Sequence, residues 1–410
     1  MQTVLITGAA SGIGRDAARL FARAGWQCVL VDRNAEALDE VGRGLAAPAS
    51  GLLASGSLSH QMRAIDLTDP MQVASLAEGT PTLDAIVNNA GMSDTSNVPL
   101  AEQPPEQLQR LLALNLAAPA AVVDACGALL KPGARVVNVS SGAGLHAIPS
   151  RGAYSPSKAG VIAQTLALAA ARPELCATVL CPGFVRTDLV EGLIRAGRLD
   201  PAAAVTKIPL GRMAAPEELG RALFFLASPG AAALRGQRIS VDGGSSIYGG
   251  SRAFAPARLA VLPFELPTQL AIEGGGEAPW RGVAPASVAE PHYAACLDLS
   301  PLAAPAAGLL QAVHAAGVRF AAAHPQQASL TVLLPTPKPG RWQDAGDFAA
   351  ARMLVSTFAC EWGDRALRIN ALQVPMEGFD AAVMHPLLRY VSGAGAQYLT
   401  GQTLVCQGGA

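Results

Sequence analysis

The chain has 410 residues, half of them hydrophobic and 15% charged, with a formal net charge of −1. This length favours two domains, and the balanced charge excludes a strong case for nucleic acid or an anionic membrane as a partner. The seven cysteines show no CxxC or Cys/His spacing, so we expect reduced, mostly buried thiols in a cytoplasmic protein and no metal site. We also expect no leader peptide and no membrane-spanning segment, because the apolar stretches are short or interrupted by Pro and Gly.

The first predicted elements are a strand, a glycine-rich turn and a helix. Thr3–Thr7 is a short apolar run typical of a buried parallel strand. Gly8, Gly12 and Gly14 follow it in TGAASGIG, and a helical pattern then runs to Gly25. Glycines allow a tight turn and let the backbone approach a pyrophosphate at the helix N-terminus. The spacing is GxxxGxG and not GxGxxG, and a purely structural turn is the alternative, but the flanking strand and helix favour nucleotide binding.

The second predicted strand, Gln27–Val31, ends at Asp32. A carboxylate there could accept both ribose hydroxyls of NAD and would repel the 2′-phosphate of NADP. Arg33 could instead bind that phosphate, and Asp32 could merely cap the following helix, Asn34–Leu45. We favour NAD over NADP. Residues 46–60 are rich in Ala, Gly, Ser and Pro and are predicted to form a loop.

Two further strands are predicted before residue 90. Met62–Ile65 is followed by Asp66 and Leu67, where the edge of an adenine ring could lie. Leu83–Val87 is followed directly by NNAG, residues 88–91.

A serine, a tyrosine and a lysine are spaced for proton transfer. Tyr154 and Lys158 are four residues apart and therefore lie on one face of a helix. An ammonium group beside a phenol favours the phenolate, so the tyrosine could exchange a proton nearer neutrality. The hydroxyl of Ser141 could hydrogen-bond the oxygen of the reacting alcohol or ketone. The YxxxK spacing alone is also that of an ordinary exposed helix face.

Together these motifs resemble the short-chain dehydrogenase/reductase family over residues 1–250. The matching features are TGAASGIG, Asp32, NNAG, Asn115, Ser141, Tyr154, Lys158 and the later CPGFVRTD. The resemblance implies an α/β fold with a doubly wound, Rossmann-like parallel sheet of about seven strands and helices on both faces. It also implies oxidation of an alcohol or reduction of a ketone with a nicotinamide cofactor.

The resemblance implies a role for each matching residue. Those expected to bind the cofactor are Gly8, Ser11, Gly12, Ile13, Gly14, Asp32, Arg33, Asp66, Leu67, Asn88, Ala90, Gly91, Tyr154, Lys158, Pro182, Gly183, Val185 and Thr187. Ser141, chosen over Ser140 by its spacing, would fix the substrate oxygen, and Tyr154 would be the acid/base. Lys158 would bind the nicotinamide ribose and lower the pKa of the tyrosine. Asn115 would support a water in a proton relay.

The segment Asp188–Arg212 would close over the substrate, as the resemblance implies. Its Leu, Val, Ile and Ala content suggests an apolar small-molecule substrate, although a lid is apolar inside whatever it covers. A helix at Pro216–Ala227 and a strand at Arg238–Val241 complete the first predicted domain, residues 1–250.

A degenerate, truncated second copy of the fold is predicted over residues 258–410. The ending GQRISVDGG (Gly236–Gly244) recurs as GQTLVCQGG (Gly401–Gly409), and the hexamer LAAPAA occurs at 116–121 and again at 302–307.

The second copy lacks the catalytic residues. Pro301 falls opposite the asparagine of the first copy, and Asp344 and Phe348 fall about where the tyrosine and lysine stand. A strand expected at Leu259–Leu262 is not followed by a glycine fingerprint. Most of the nucleotide-binding half is therefore missing from the copy.

Two predicted helices of this copy, roughly 302–316 and 346–361, are apolar on more than one face and need burial. Family members commonly dimerise through the corresponding helices. We therefore expect the second copy to act as an internal pseudo-dimer partner, with a further homodimer left open. A separately folded tail is the alternative.

These observations predict an NAD-dependent dehydrogenase that interconverts a secondary alcohol and a ketone. An NADPH-dependent 3-oxoacyl reductase is the nearest alternative, against which Asp32 weighs. A cofactor-binding regulatory protein without turnover is an alternative of another class. The complete set of Asn115, Ser141, Tyr154 and Lys158 argues against it.

Overall fold

The computed structural model describes residues 1–46, 59–96, 98–275, 278–284, 288–337, 344–375 and 380–407. Most of the predicted 46–60 loop and the final glycines of GQTLVCQGG lie outside these residues. The chain divides into two compact units. The first comprises Met1–Gly192, Ala215–Pro229 and Gly236–Arg238, and the second comprises Leu193–Ala214, Gly230–Arg235 and Ile239–Ala410. The predicted domain limits, 1–250 and 258–410, stay a prediction.

Seven strands form the first sheet, in the order β3-β2-β1-β4-β5-β6-β7. They are β1 (Thr3–Thr7), β2 (Gln27–Asp32), β3 (Gln61–Ala64), β4 (Leu83–Asn88), β5 (Leu130–Val139), β6 (Cys176–Pro182) and β7 (Arg238–Val241). Neighbouring strands from β3 to β6 pair in parallel. The predicted doubly wound sheet is confirmed.

Helices alternate with these strands along the chain. They are α1 (Gly12–Arg23), α2 (Ala35–Ala46), α3 (Pro70–Ala74), α4 (Pro105–Leu112), α5 (Ala118–Ala125), α6 (Tyr154–Ala171), α7 (Asp188–Arg195), α8 (Pro201–Val205) and α9 (Pro216–Leu226). The strands are apolar on both faces because helices cover both. Val4, Leu5 and Ile6 of β1 are fully buried, and each such side chain stabilises the fold by roughly 1.5–3 kcal/mol.

The predicted bounds of the first-sheet strands hold closely. β1 and β7 match their predictions residue for residue, and β2 and β4 each extend one residue further. The first helix begins earlier than its pattern predicted, at Gly12, because the Arg15 N–H already donates to the Ser11 carbonyl oxygen at 3.2 Å. The carboxyl ends of β1 to β4 therefore lie where the motifs predicted them.

The helical run Pro105–Ala125 is long and apolar enough to cross a membrane by length and composition alone. This corrects the expectation that no stretch would pass that test. The run is interrupted by a π-helical turn at Ala113–Ala117, which buries the polar Asn115. It packs against α3 and α6, and Val122 of α5 lies in the core cluster of the sheet. The apolar side chains of this run thus pack against the sheet.

Five parallel strands form the second sheet, in the order β12-β11-β10-β9-β8. They are β8 (Thr268–Glu273), β9 (Tyr293–Asp298), β10 (Ala328–Pro335), β11 (Arg368–Val374) and β12 (Thr403–Val405), and the helices are α10 (Ser300–Ala303), α11 (Leu309–Ala323), α12 (Ala345–Glu361) and α13 (Ala381–Ser392). This strand order equals that of the first sheet without β2 and β3. The duplication itself stays a prediction.

The strand predicted at Leu259–Leu262 is wrong, because the segment has no ladder and the sheet begins with β8. Side chains satisfy its backbone instead. Gln397 accepts a hydrogen bond from the Leu262 N–H at 3.1 Å and donates to the Leu262 carbonyl oxygen at 2.8 Å. Gln327 donates to the Ala260 carbonyl oxygen at 2.7 Å. The prediction overlooked that TQLAIE, which follows, can pair along its whole length with β9.

The hexamer LAAPAA has two conformations. At residues 116–121 it continues a helix, and Ala118, which precedes Pro119, has φ −59° and ψ −44°. At residues 302–307 the helix breaks, since Ala304 has φ −77° and ψ 142°. A residue before proline disfavours the helical region, and only the first copy overrides that preference. The helix predicted at 302–316 is therefore wrong in its start and is α11, Leu309–Ala323, whereas the one predicted at 346–361 is α12.

Candidate active site

The glycine-rich turn between β1 and α1 is too tight for side chains at its bends. Gly8 and Gly12 have left-handed φ values of 65° and 52°, which residues with a Cβ rarely adopt. A Cβ added to Gly14 would lie 2.1 Å from the Gly8 carbonyl oxygen. The turn therefore presents backbone groups at the N-terminus of α1, where N–H groups can bind a phosphate.

A cleft of about 460 Å³ opens beside this turn, a volume typical of small-molecule sites. It lies at the carboxyl ends of β1 to β4, the position at which doubly wound sheets bind ligands. The predicted cofactor residues that line it are Gly8, Ser11, Gly12, Ile13, Asp32, Arg33, Asp66, Leu67, Ala90, Gly91 and Thr187. Segments far apart in the sequence thus form one cavity whose backbone turn fits a dinucleotide.

Asp32 ends β2 at the wall of this cleft. Its carboxylate accepts hydrogen bonds from the N–H groups of Ala10, at 3.1 Å, and Asn34, at 3.0 Å. The carboxylate is therefore fixed between the glycine turn and residue 34. The cap of α2 is instead Asn34, whose Oδ1 accepts from the Ala37 N–H at 3.1 Å, and the contact of Asp32 with a ribose stays a prediction.

Two arginines, Arg33 and Arg110, also line the cleft. Hydrogen bonds from Thr68 hold the pKa of Asp66 below its usual value, and both arginine charges add to that effect. Arg110 was missed from the sequence, because its position on α4 could not be related to the end of β3 without the fold.

Asn88 and Asn89 face different surroundings. The Asn88 side chain is buried, and its Nδ2 donates to Asn138 Oδ1 at 2.9 Å. Asn88 thus fastens the end of β4 inside the sheet and does not line the cleft. Asn89 lines the cleft, and its Nδ2 donates to the carbonyl oxygens of Thr7 and Gly8, each at 3.2 Å. The sequence prediction missed Asn89, although a residue just beyond a buried strand end was the signal for it.

Ser141 and Tyr154 are brought together at the start of α6. Tyr154 is the first residue of that helix, and burial raises the pKa of its phenol, whereas the nearby Ser141 hydroxyl acts to lower it. Ser141 also accepts a bond from the Ala143 N–H at 3.1 Å. The neighbouring Ser140 is buried, and its hydroxyl donates to the Lys158 carbonyl oxygen at 2.7 Å. Of the two serines, Ser141 is the one that meets the tyrosine.

Lys158 lies behind the cleft wall and is 4% exposed. Its Nζ donates to the Val139 carbonyl oxygen at 2.9 Å. Burial lowers the pKa of Lys158 to about 8. A Cβ added to Gly91, which lines the cleft, would lie 3.2 Å from Lys158 Nζ and 3.2 Å from Asn115 Oδ1.

Asn115 is held rigidly in the π-helical turn, a local widening often found at functional sites. Its Oδ1 accepts from the Met92 N–H, and its Nδ2 donates to the Met92 carbonyl oxygen, both at 2.8 Å. Nδ2 also donates to Ser157 Oγ at 3.1 Å, and Ser157 in turn donates to the Tyr154 carbonyl oxygen at 2.8 Å. The amide thereby couples the end of β4 to the first turn of α6.

Three influences act on the pKa of Tyr154. Burial raises the pKa of Tyr154, whereas the hydrogen bond with Ser141 and the positive charge of Arg151 lower it. We expected Lys158 to be the cation that lowers this pKa. Lys158 is not among the groups that shift this pKa here, and its ammonium donates to a backbone carbonyl oxygen. The role expected of Lys158 therefore stays a prediction.

The segment after β6 lies against the glycine turn. Pro182 and Val185 are buried, and Gly183 lies between them. The Thr187 N–H donates to the Val185 carbonyl oxygen at 2.8 Å, and its methyl group would lie 3.3 Å from a Cβ on Gly12. The contact of these residues with a nicotinamide stays a prediction.

Possible metal ligands and the cysteines are further candidate groups in the part of the chain that the structure describes. No group of three or more His, Cys, Asp and Glu side chains there could hold a metal ion. Six of the seven cysteines are buried, as predicted. Burial raises the pKa of Cys28 and Cys296 to about 12, which disfavours the reactive thiolate.

Comparisons with known proteins agree with this site. A family model described as enoyl-(acyl carrier protein) reductase matches residues 8–246. The uncharacterized short-chain type dehydrogenase/reductase y4vI of Sinorhizobium fredii is 40% identical over 245 residues, which are 59% of this chain and 43% of that relative. The 3-oxoacyl-[acyl-carrier-protein] reductase FabG of Thermotoga maritima is 33% identical over 248 residues, 58% of this chain and 96% of the relative.

Solved structures are similar over the same share of the chain. An oxidoreductase of the short-chain dehydrogenase/reductase family from Burkholderia thailandensis has a TM-score of 0.53 and 31% identity, covering 60% of this chain and 92% of its own. The fold and the site define an NAD(P)-dependent dehydrogenase or reductase. The chain belongs to the short-chain dehydrogenase/reductase family.

Proposed function

We propose that the first unit interconverts a secondary alcohol and a ketone by hydride transfer, with NAD preferred to NADP. The observation that carries the proposal is the position of Lys158 and Asn115 directly behind Gly91, which lines the cofactor cleft. Lys158 and Asn115, which belong to the proposed proton-transfer group, therefore lie against the wall of the cleft that Gly91 forms.

The residues of the chain bind the substrate oxygen and move its proton. A bound nicotinamide supplies the hydride for reduction or accepts it in oxidation. The Tyr154 hydroxyl donates a proton to the ketone oxygen in reduction and takes it back in oxidation. The Ser141 hydroxyl holds that oxygen in place. Lys158, with a pKa of about 8, can release and regain a proton near neutrality.

Asn115 acts in this proposal as a positioning residue. Its bonds to Met92 and Ser157 keep the π-helical turn and α6 at a fixed separation. A water held beside this turn could carry protons from Lys158 to solvent, which is the relay that the family resemblance implies.

The preference for NAD is supported by Asp32. Its carboxylate lies at the cleft wall with both oxygens oriented by backbone N–H groups, and a 2′-phosphate would meet its negative charge. Arg33 and Arg110 on the same wall favour the phosphate. They support the second candidate, an NADPH-dependent 3-oxoacyl reductase, as does the similarity to FabG.

An apolar substrate is supported by Leu189 at the start of the proposed lid, which lines the cleft and is 53% exposed. We propose a cytoplasmic location from the reduced, buried thiols. A regulatory protein without turnover is the remaining alternative, and the assembled group around Tyr154 argues against it.

For the second unit, we propose a truncated, non-catalytic copy that serves as an internal pseudo-dimer partner. The strand order of its sheet supports this proposal, because the described strands include no counterparts of β2 and β3. Within the described part of the unit, the strand that would correspond to the one carrying Asp32 is thus absent.

A panel of ketones and secondary alcohols, assayed with NADH, NADPH and their oxidised forms, tests the catalytic proposal. Turnover by the wild-type chain that is lost in Tyr154→Phe supports it. Absence of turnover with every compound, together with tight cofactor binding, would favour the regulatory alternative.

A further inference from the structure

Arg151 lies three residues before Tyr154, in the turn that leads into α6. Ser150 and Gly152 on either side have left-handed φ values of 58° and 55°. A residue with a side chain in that region carries roughly 1–2 kcal/mol of strain, so the turn is a defined bend. The Tyr154 N–H closes it by donating to the Arg151 carbonyl oxygen at 3.0 Å. The bend fixes the position of Arg151 relative to the tyrosine.

The Arg151 guanidinium is directed towards the segment after β4. Its Nη1 donates to the Asp94 backbone carbonyl oxygen at 3.3 Å. The Asp94 carboxylate is engaged elsewhere, since it accepts from the Ser96 N–H at 2.7 Å and from the Gln103 side chain. A Cβ on Gly152 would lie 2.6 Å from Asp94 Oδ2, so the two segments are in close contact.

Most of the hydrogen-bonding capacity of Arg151 is left for another group. A guanidinium has five N–H donors, and the bond to Asp94 is the one described for Arg151. Among the described residues, no carboxylate lies within ion-pair distance of this guanidinium. Its charge nevertheless reaches the phenol, because it lowers the pKa of Tyr154 against the larger, opposite effect of burial. The Asp94 carboxyl is near enough for the Arg151 charge to act on it, but the two form no ion pair. A half-buried cation without an ion-paired carboxylate beside the proton-transfer group is suited to bind an anion.

We propose that Arg151 binds a carboxylate of the substrate, so that the enzyme acts on a hydroxy or oxo acid whose free carboxylate lies a few bonds from the reacting carbon. The inference rests on the proposed function, because it requires Tyr154 to be the acid/base. The closeness of Arg151 to Tyr154 fits a short acid. A carboxylate can accept two parallel N–H bonds from a guanidinium, which fixes the orientation of the carbonyl between Ser141 and Tyr154.

This inference separates the enzyme from reductases of 3-oxoacyl thioesters. A thioester carries no charge at the carbon where the acid has its carboxylate, so it offers Arg151 no ionic partner. The apolar lid is compatible with a short acid, since the remainder of such a substrate is hydrocarbon.

The test measures reduction of 2-oxobutanoate and 3-oxobutanoate and of their methyl esters, with NADH and NADPH. The variants are Arg151→Gln, Arg151→Lys and, as a matched control, Arg43→Gln on the exposed face of α2. We expect wild-type kcat/KM to be at least about tenfold higher for one acid than for its ester, as a charge-assisted bond implies. Arg151→Gln should raise KM for the acid and lower its kcat/KM at least about tenfold more than that of the ester, which loses only what the altered pKa of Tyr154 costs, and Arg151→Lys should restore part of the preference.

A second measurement does not depend on the choice of substrate acid. Butanoate should compete with a neutral ketone in the wild-type chain and in Arg43→Gln, and should compete at least about tenfold more weakly in Arg151→Gln. Thermal melting and NADH titration of each variant check that it is folded.

The outcomes distinguish the two levels of the proposal. Esters reduced as well as acids by the wild-type chain, or equal losses on acid and ester in Arg151→Gln, overturn the carboxylate inference and leave the dehydrogenase proposal intact. If no acid, ester or neutral ketone is reduced, the proposed function itself fails and the inference fails with it.

Discussion

The two sheets end their corresponding strands in opposite ways. In the first sheet, β1 runs into the glycine turn and β4 into residues 89–91, so backbone groups and a neutral amide face a cleft of about 460 Å³. In the second sheet, β8 ends at Glu273 and β9 at Asp298, which are partners in the strand register. Arg319 donates to Asp298 Oδ2 at 2.6 Å and lies 3.7 Å from Glu273.

The difference teaches that strand order does not by itself make a nucleotide site. Both sheets share the same order once β2 and β3 are left out. At the strand ends of the second sheet, the pyrophosphate of a dinucleotide would meet two carboxylates, one of them fully buried. The cofactor cleft depends on the glycine turn and on the strand that carries Asp32.

The largest expected effect comes from removing the Tyr154 hydroxyl, and removal of a tyrosine hydroxyl from the second unit is its control. Tyr154→Phe should lower kcat by about 10²–10⁴-fold, the range for loss of a general acid, with the Kd for NADH unchanged. The matched variant Tyr390→Phe, on α13 of the second unit, should leave both values near wild type. Steady-state kinetics and calorimetric titration measure the two quantities. Substantial residual turnover in Tyr154→Phe would refute the acid/base assignment.

Gly12 and Gly275 allow a comparison of the turn after β1 with the turn after β8. Gly12 has φ 52° and Gly275 has φ 80°, and a Cβ on Gly275 would have nothing within 4 Å. Either Gly→Ala change costs roughly 1–2 kcal/mol of backbone strain. Gly12→Ala should raise the Kd for NADH by about tenfold or more, because the strain falls on the turn that holds the pyrophosphate.

Gly275→Ala is the control for this pair, and it should lower the thermal midpoint without changing NADH binding. Equal losses of NADH affinity in the two variants would contradict the assignment of the cofactor to the first unit. Unchanged affinity in Gly12→Ala would remove the glycine turn from the cofactor site.

Cofactor choice is the next effect in size. Asp32 should make kcat/KM at least about tenfold higher with NADH than with NADPH, since one unpaired or repelled phosphate costs on the order of 1.4 kcal/mol or more. Asp32→Ser should reduce or reverse that preference. Equal or better activity of the wild-type chain with NADPH would mean that Arg33 and Arg110 decide the choice.

The smallest effect is expected at the ion pair of the second sheet. Arg319→Gln leaves the buried Asp298 carboxylate with the Ser300 N–H, at 2.9 Å, as its described partner. Because Arg319 is half exposed, solvent screening reduces the loss to about 1 kcal/mol. The thermal midpoint should fall slightly, with NADH binding and turnover unchanged, and exposed Arg258→Gln is the control. A loss of NADH affinity in Arg319→Gln would assign a cofactor role to this edge.

The first sheet could be predicted well from the sequence because each strand is a buried apolar run followed by a recognisable turn. The second sheet was harder. LAAPAA continues a helix at residues 116–121 and breaks one at 302–307. The same six residues therefore did not predict the same helix boundary in the two sheets. The apolar run Leu259–Leu262 resembled a strand, but its backbone bonds are made by the Gln397 and Gln327 side chains.

The placement of Ser141, Tyr154 and Lys158 could also be predicted, since their specific spacing puts the serine near the tyrosine and the lysine one turn further along α6. What could not be predicted were contacts between distant segments. Arg110 reaches the cleft from α4, and the charge of Arg151 acts on Tyr154 from the turn before α6. Both facts depend on where loops fold, and a motif carries no information about that.

The central claim is that the first unit holds the cofactor site and the second does not. Calorimetric titration of the intact chain with NADH tests it most directly, because it counts sites. The account predicts one NADH per chain, with that site weakened in Gly12→Ala and unchanged in Gly275→Ala. Two equivalent sites per chain would contradict it.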